Sequence, residues 1–576
     1  MICGAAVALT ALALASPAAA ATPTAPVYDE EGRLVETPFA PSTEKPRLTE
    51  QQATRLLLAR ADVAGWLERY PPGATTDASF HPKTRRWTVR AWSGAAGQVV
   101  EGTVEDGSGR VLEAWTGPQV AWKMARGSEG AFGGKVLNEP VVWLALCLVF
   151  LVGLADLRRP FSLRNLDLLA LLSFSVSLWF FNRGQIFSSV SLAYPPLLYL
   201  LGRTAWIGFR RRGEAPAPFW PAWLLLSATV FLVGFRIGLN VQASHSVIDV
   251  GYAGVIGGDR ILDGQAPYGH MPVRGTRPAC GAADASGDVR ERIQTNGRCE
   301  SANERGDTYG PVTYLAYVPG VALFGWSGRW DSLPAAHATS IAADALVLIG
   351  LALVGLRFGG FNLAAMLAFA WAAYPFTAYA LNANTNDALM PAALVWGFWL
   401  STSVWARGAF TALAGWAKFG ALLVVPLWAT YRGVSVRGLV RFALAFLAAT
   451  VAAFAVLLLE PSLREAVSTF WERTIDFQLA RDSPFSLWGW GQYHARGIPD
   501  LGGVQVVVQA AVLVLAVAVA FVPARKGPLE LAALTAAVLI AFQLALTHWF
   551  YLYLPWLLPF AVLALLLPRS LSRHAA

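Results

Sequence analysis

Long apolar runs dominate this chain and leave it few ways to fold. They lie at about 140–156, 166–181, 186–206, 219–240, 312–326, 335–356, 361–381, 386–404, 409–430, 439–459, 503–522, 529–547 and 551–567. Most match the roughly 20 residues a helix needs to cross a hydrocarbon core of about 30 Å. A soluble core would show apolar stripes at helical spacing rather than uninterrupted runs. The pattern predicts an all-α polytopic membrane protein of about 11–13 transmembrane helices, and membrane lipids are its first partner.

The net charge of +8 does not indicate nucleic acid. Arg gathers in short connections between apolar runs, as in Leu157-Arg158-Arg159-Pro160 and Arg210-Arg211-Arg212, which is the distribution of a positive-inside topology. On that rule Arg158, Arg159, Arg164, Arg210–Arg212, Arg432, Arg437, Arg525, Lys526, Arg569 and Arg573 lie inside, and the polar loops 241–311 and 460–502 lie outside. Strict alternation would then put Asn384 to Asp387 inside. A re-entrant segment at 312–326 or 409–430 instead brings Arg357 and Arg407 inside and Asn384–Asp387 outside, and the charges favour that arrangement. An exported first loop also suits Cys280 and Cys299 as a disulfide closing a polar insert. Cys147 falls within an apolar run and Cys3 within the leader.

The amino terminus reads as a signal peptide over 1–21, with an apolar stretch at 4–15 and small residues from Ser16 to Ala21. A linker rich in Pro, Thr and Glu follows at 22–47. Residues 48–125 suit a small exported α+β unit. Its helix would run from Thr49, as N-cap, to Glu68, followed by a three- or four-stranded antiparallel sheet. Phe80, Trp87, Val89 and Ala91, then Val99, Val104, Val111 and Leu112, suit strands, and Asp106-Gly107-Ser108-Gly109 suits a hairpin turn. This unit, ending in Gly117-Pro118-Gln119, resembles a PepSY domain. Additional transmembrane helices are expected over 138–215, before a main membrane module at 219–567.

The first exported loop carries an ordered set of polar and aromatic residues. It opens with Ser246-Val247-Ile248-Asp249-Val250-Gly251-Tyr252, which places Asp249 and Tyr252 one helical turn apart. It continues through Gly257-Gly258-Asp259-Arg260 and Gly264-Gln265-Ala266-Pro267-Tyr268, and ends in Asp307-Thr308-Tyr309-Gly310-Pro311-Val312-Thr313-Tyr314. On these residues the stretch from about 220 to 567 resembles the integral-membrane glycosyltransferases of the GT-C fold, most closely family 87, which includes polyprenyl-phosphate-mannose-dependent mannosyltransferases. The resemblance implies an Asp at the head of this loop acting as general base on the acceptor hydroxyl, here Asp249, with Tyr252, Pro267, Tyr268, Tyr309 and Pro311 fitting the surrounding pattern; Arg260 is a further candidate for substrate binding. It also implies a polyprenyl-phosphate-linked sugar as donor, with mannose-like hexoses and pentoses both open, a glycan or glycolipid acceptor, and an inverting transfer at the outer face of a bacterial plasma membrane. The plain alternative for Asp249 is a solvated helix cap.

An inverting transfer needs one base and groups that stabilise the departing lipid phosphate. A cation can neutralise a single phosphate, so no metal and no cofactor is called for. Arg236 stands within an apolar run, where an unpaired Arg costs about 2.5–3.5 kcal/mol, so it needs a partner or a function. It ranks first for the phosphate, ahead of Arg481 in the aromatic second loop. Lys418, in Ala414-Gly415-Trp416-Ala417-Lys418-Phe419, fits the family pattern or a snorkelling side chain equally well. His548 precedes Trp549-Phe550-Tyr551 in the family manner, or belongs to an aromatic belt. Asp387, in the cluster Asn382, Asn384, Asn386 and Asp387, fits the family's second-loop acid, or Asn386 simply caps a helix. Competing functions are a transporter or flippase, which would show repeat symmetry and mid-membrane ionisable groups, and a polymerase or ligase of lipid-linked saccharides. There is no Walker A sequence and no His/Cys metal motif.

Overall fold

The computed structural model describes residues 27–28, 34–36, 45–127, 132–210, 219–243, 246–283, 288–331 and 333–567. The expected leader, most of the linker, Arg211, Arg212, Arg569 and Arg573 lie outside the described residues. Within the linker, Val27–Tyr28 pairs with Leu34–Glu36.

The amino-terminal unit is α+β. Thr49 caps helix α1 (Glu50–Leu58) through a reciprocal pair: its hydroxyl accepts from the Gln52 amide, and the Gln52 side chain accepts from the Thr49 amide. The single helix expected to reach Glu68 is broken. Arg60 takes an extended conformation, and α2 (Ala61–Leu67) sets off separately. Two short helices can each lay a face on the twisted sheet, Leu57 closing over Gly102 and Trp66 over Gly117. The sheet has four antiparallel strands in sequence order, β1 (Thr75–His81), β2 (Arg86–Trp92), β3 (Gln98–Glu105) and β4 (Val111–Thr116). Trp87, Val89 and Ala91 alternate into the core as expected. Asp106, expected only as a turn residue, does more. Its carboxylate accepts from the amides of Arg47 and Leu48, the Trp87 indole and Arg85, and so ties the segment that enters the domain to the β3–β4 turn.

The remainder is a helical membrane protein. Its principal helices are α3 (Pro140–Leu154), α4 (Leu163–Phe181), α5 (Ile186–Arg210), α6 (Ala222–Gln242), α7 (Asp249–Leu262), α8 (Pro311–Phe324), α9 (Pro334–Ala373), α10 (Pro375–Asn382), α11 (Leu389–Trp399), α12 (Val404–Ala417), α13 (Val436–Phe454), α14 (Leu463–Trp471), α15 (Gly502–Phe521), α16 (Pro528–Ala545) and α17 (Leu554–Leu566). Among the described residues six helical segments are long and apolar enough to cross a bilayer on their own: α4, α6, α9, Val436–Leu459, α15 and α16. Helices α3, α8 and α11 and the segments Phe419–Ala429 and Tyr551–Leu566 are apolar but shorter, while α5, 25 residues long, is less apolar.

Helix α9 is really a hairpin. The Trp371 indole donates to Asp344 at 2.9 Å, whereas 27 residues of straight helix would separate them by about 40 Å. The reversal occurs at Gly360, whose φ of 75° favours a residue without Cβ. The two legs correspond to the two apolar runs at 335–356 and 361–381.

Helices α7 and α8 form a close antiparallel pair. Gly254 and Gly257 on α7 leave no room for a side chain, since a Cβ would lie 2.3 Å from the Tyr317 ring and 2.1 Å from that of Tyr314. Helix α8, of 14 residues, is about 21 Å long, short of a bilayer core. Its far end returns to the start of α7, where the Trp330 indole donates to the Val247 carbonyl. The pair therefore leaves and rejoins the same end of the bundle. This brings the Asn cluster beside the first loop: Ile248 N donates to Ala383 O, and Asn384 bonds both Ser246 and Asn240.

From Asp387 the chain runs through α11 to the opposite end, where Arg357 donates to Trp399 O and to Thr402 and Arg407 to Trp428 O. Helix α12 then returns to Lys418. Within the first loop Cys280 and Cys299 form the expected disulfide. Arg473 of the second loop pairs with Asp307 of the first, so the two loops make one cap.

Candidate functional site

The site forms where the start of α7, the 382–387 turn, the end of α12, the second loop and the α16–α17 connection converge. Asp249 is the first residue of α7, and its carboxylate accepts from the Val250 amide at 3.0 Å. Its surface is open to water, yet protein crowds it on most sides, as for a group on the wall of a recess. That desolvation pushes its carboxyl above the usual range, although the Val250 amide and the positive charges of Arg481 and Lys418 pull the other way.

Lys418 leaves the end of α12 buried. Its ammonium lies 3.1 Å from Asp387 Oδ1, 4.3 Å from the Tyr309 ring centroid and 5.5 Å from that of Trp556. The Trp556 indole donates to the same Asp387 oxygen at 3.0 Å. Tyr309 is gripped by its backbone, its carbonyl accepting from the Tyr268 hydroxyl and its amide donating to that of Tyr314. Tyr268 therefore positions Tyr309 and does not itself line the site.

Arg481, half-buried, is held without a counterion. No carboxylate among the described residues pairs with it. Its guanidinium lies against the rings of Trp122 and Phe477, 5.7 and 5.9 Å from their centroids, and one N–H points at His548 Nε2 at 3.4 Å. His548 is pushed well below the ordinary histidine range by burial and by the charges of Arg481 and Lys418. The neutral ring that results donates from Nδ1 to Ser483 Oγ at 2.8 Å and presents a bare Nε2 to Arg481. It supports that Arg and adds no positive charge of its own.

Six residues singled out in the sequence thus come together: Asp249, Tyr309, Asp387, Lys418, Arg481 and His548. Three do not. Arg236 is fully buried against Asp344, 2.6 Å away, and donates to the carbonyls of Trp371 and Ala372. It locks α6 to the α9 hairpin, and with its charge committed there Arg481 takes its place as first choice for an anion. Arg260 is spent on Glu300, Asp259 and the His270 carbonyl inside the first loop. Tyr252 donates to Ser301 O and packs on Trp330. Both build the cap.

The site also includes residues absent from the sequence reading. Tyr553 and Trp556 stack at 4.2 Å beside Asp387 and Lys418. Their i, i+3 spacing just after His548 was a usable signal. Trp122, from the segment following the four-stranded sheet, stacks on His548 at 5.8 Å. Nothing in its local sequence marks it. Among the described residues no three His, Cys, Asp or Glu side chains gather as a metal site.

Comparison with known protein families, with curated proteins and with solved structures yields no match.

Proposed function

We propose that the protein is a membrane glycosyltransferase that moves a sugar, a mannose-like hexose or a pentose, from a polyprenyl phosphate to a lipid or glycan of the cell envelope. One observation carries this reading: a water-accessible acid, Asp249, shares a recess with Lys418 and with Arg481, a cation that forms no ion pair with a carboxylate among the described residues.

In the reaction, Asp249 takes the proton of the acceptor hydroxyl as its oxygen attacks the anomeric carbon of the donor sugar. The bond from that carbon to the phosphate oxygen breaks, and the lipid monophosphate departs with both bonding electrons. Arg481 and Lys418 stabilise its growing charge, with Asp387 and Trp556 fixing the ammonium. A carboxyl raised by desolvation is a stronger base than one in water.

The positive-inside rule supports the orientation. Arg357, Arg407 and Arg432 gather at the end of the bundle away from Asp249, so the site end, the disulfide and the α+β unit face the exterior. In this arrangement the shorter helices complete the 11–13 crossings together with the six long ones, and 219–567 constitutes a GT-C-like module preceded by a PepSY-like domain.

The test is Asp249→Asn assayed in membranes with radiolabelled polyprenyl-phosphate sugars. The expected loss of transfer is about 10²–10⁴-fold, and transfer at the wild-type rate would remove Asp249 as the base.

A further inference from the structure

The segment that links the exported sheet to α3 is bolted at both ends. On the sheet side Gly117 N donates to Val99 O, and Arg126 pairs with Glu101 at 3.0 Å. On the membrane side Gln119 donates to Gly184 O in the α4–α5 turn, and Arg126 Nε returns to Gln119 O. Between these anchors stands Trp122, half-buried. One face stacks on His548, its edge meets Phe485 at 5.4 Å, and Arg481 lies over the ring.

The chemistry of that contact is selective. An aromatic face attracts a guanidinium without using its N–H groups, whereas a carboxylate would consume two of them. Held between Trp122 and Phe477, with one long bond to His548, Arg481 keeps most of its five donors for an incoming anion.

We propose that Trp122 is a positioning residue for an anion site at Arg481, so that the exported domain supplies one wall of the phosphate pocket and is a working part of the membrane site. The phosphate identity of the anion rests on the proposed transferase reading.

The test uses the full-length protein in nanodiscs, with farnesyl monophosphate as probe and farnesol as control. Wild type is expected to bind the phosphate and not the alcohol. Trp122→Ala should weaken binding by about two- to thirtyfold, the range of a partly desolvated cation–π contact, and Trp122→Phe should recover most of it. In an Arg481→Met background, Trp122→Ala should add no further loss, because the ring acts only through that guanidinium. In transfer assays KM should rise and kcat should fall with it, because the guanidinium that Trp122 positions also bears the charge growing on the departing phosphate, and Trp122→Phe should restore both.

Equal binding by wild type and Trp122→Ala, or the same loss from Trp122→Ala with and without Arg481, would overturn the positioning role while leaving the transferase reading intact. Binding that depends on Trp122, with no sugar transfer by wild type, supports the inference and sinks the transferase. A wild type that does not distinguish phosphate from alcohol overturns the anion site itself.

Discussion

The buried pair of Lys418 and Asp387 sets a sharp expectation. At 3.1 Å, with an effective dielectric near 20, the attraction is about 5 kcal/mol, and much of it offsets the desolvation of two charges whose side chains are 7% and 2% exposed. The net value of such a pair is small, but removing one partner strands the other at a cost of about 3–5 kcal/mol. Asp387→Asn keeps an oxygen for the Trp556 indole and leaves Asp249 within electrostatic range of Lys418, so the low end applies, about 3 kcal/mol. Lys418→Met leaves an acid satisfied only by the indole, at a similar cost. The double variant buries no charge and should lose only about 1–2 kcal/mol, a coupling of about 4–5 kcal/mol, above the upper end of measured pairs. The assay is the unfolding midpoint of full-length protein in one detergent, followed by tryptophan fluorescence at a fixed scan rate because such midpoints depend on it. Both single variants should unfold at lower temperature than the double variant. Additive losses, with the double variant lowest, would refute the ion pair.

Two further expectations concern pH. The Asp249 carboxyl sits above the usual range and must be ionised to act as a base, so kcat/KM should fall as pH drops through that raised value, on a limb above the roughly 3.9 of a free aspartate. Arg481→Met removes a charge that lowers it, so the limb should move further up, and a pH–rate profile that shifts down would contradict the assignment. At Asp106 burial works to raise the carboxyl. The Arg47 and Leu48 amides, the Trp87 indole and the Arg85 charge outweigh that burial and hold the carboxyl below its usual value. Its folded pKa is therefore depressed, so its stabilisation is complete above the unfolded value and lost as pH falls through the folded one. Asp106→Ala, which leaves two amides and an indole N–H without their acceptor, should cost about 2–4 kcal/mol, read as faster limited proteolysis within 45–127; unchanged proteolysis would show that these bonds contribute nothing.

Much of the site was legible because of where its residues fall. Asp249, Asp387 and His548 each stand near the margin of an apolar run, and Lys418 interrupts one, so that each is conspicuous against its apolar surroundings. Arg236 misled for the complementary reason. An Arg inside an apolar run demands a partner, but Asp344 lies 108 positions away, and only packing of α6 on the α9 hairpin unites them. The same applies to Tyr268 and Tyr252. Their place in an ordered motif was visible, while their hydroxyls turn to the carbonyls of Tyr309 and Ser301 and build the cap.

By itself the sequence determined the membrane class, the α+β unit with its capping box and alternating strands, the disulfide and the acid at the head of the first loop. These follow from local physics: run length against bilayer thickness, side-chain period against backbone geometry, and charge against the water interface. Tertiary structure alone decided which cation is free. It committed Arg236 to Asp344, Arg260 to Glu300 and Lys418 to Asp387, and it carried Trp122 from the segment after the α+β unit to Arg481. Pairing between distant charges depends on how helices pack, and no spacing along the chain encodes it.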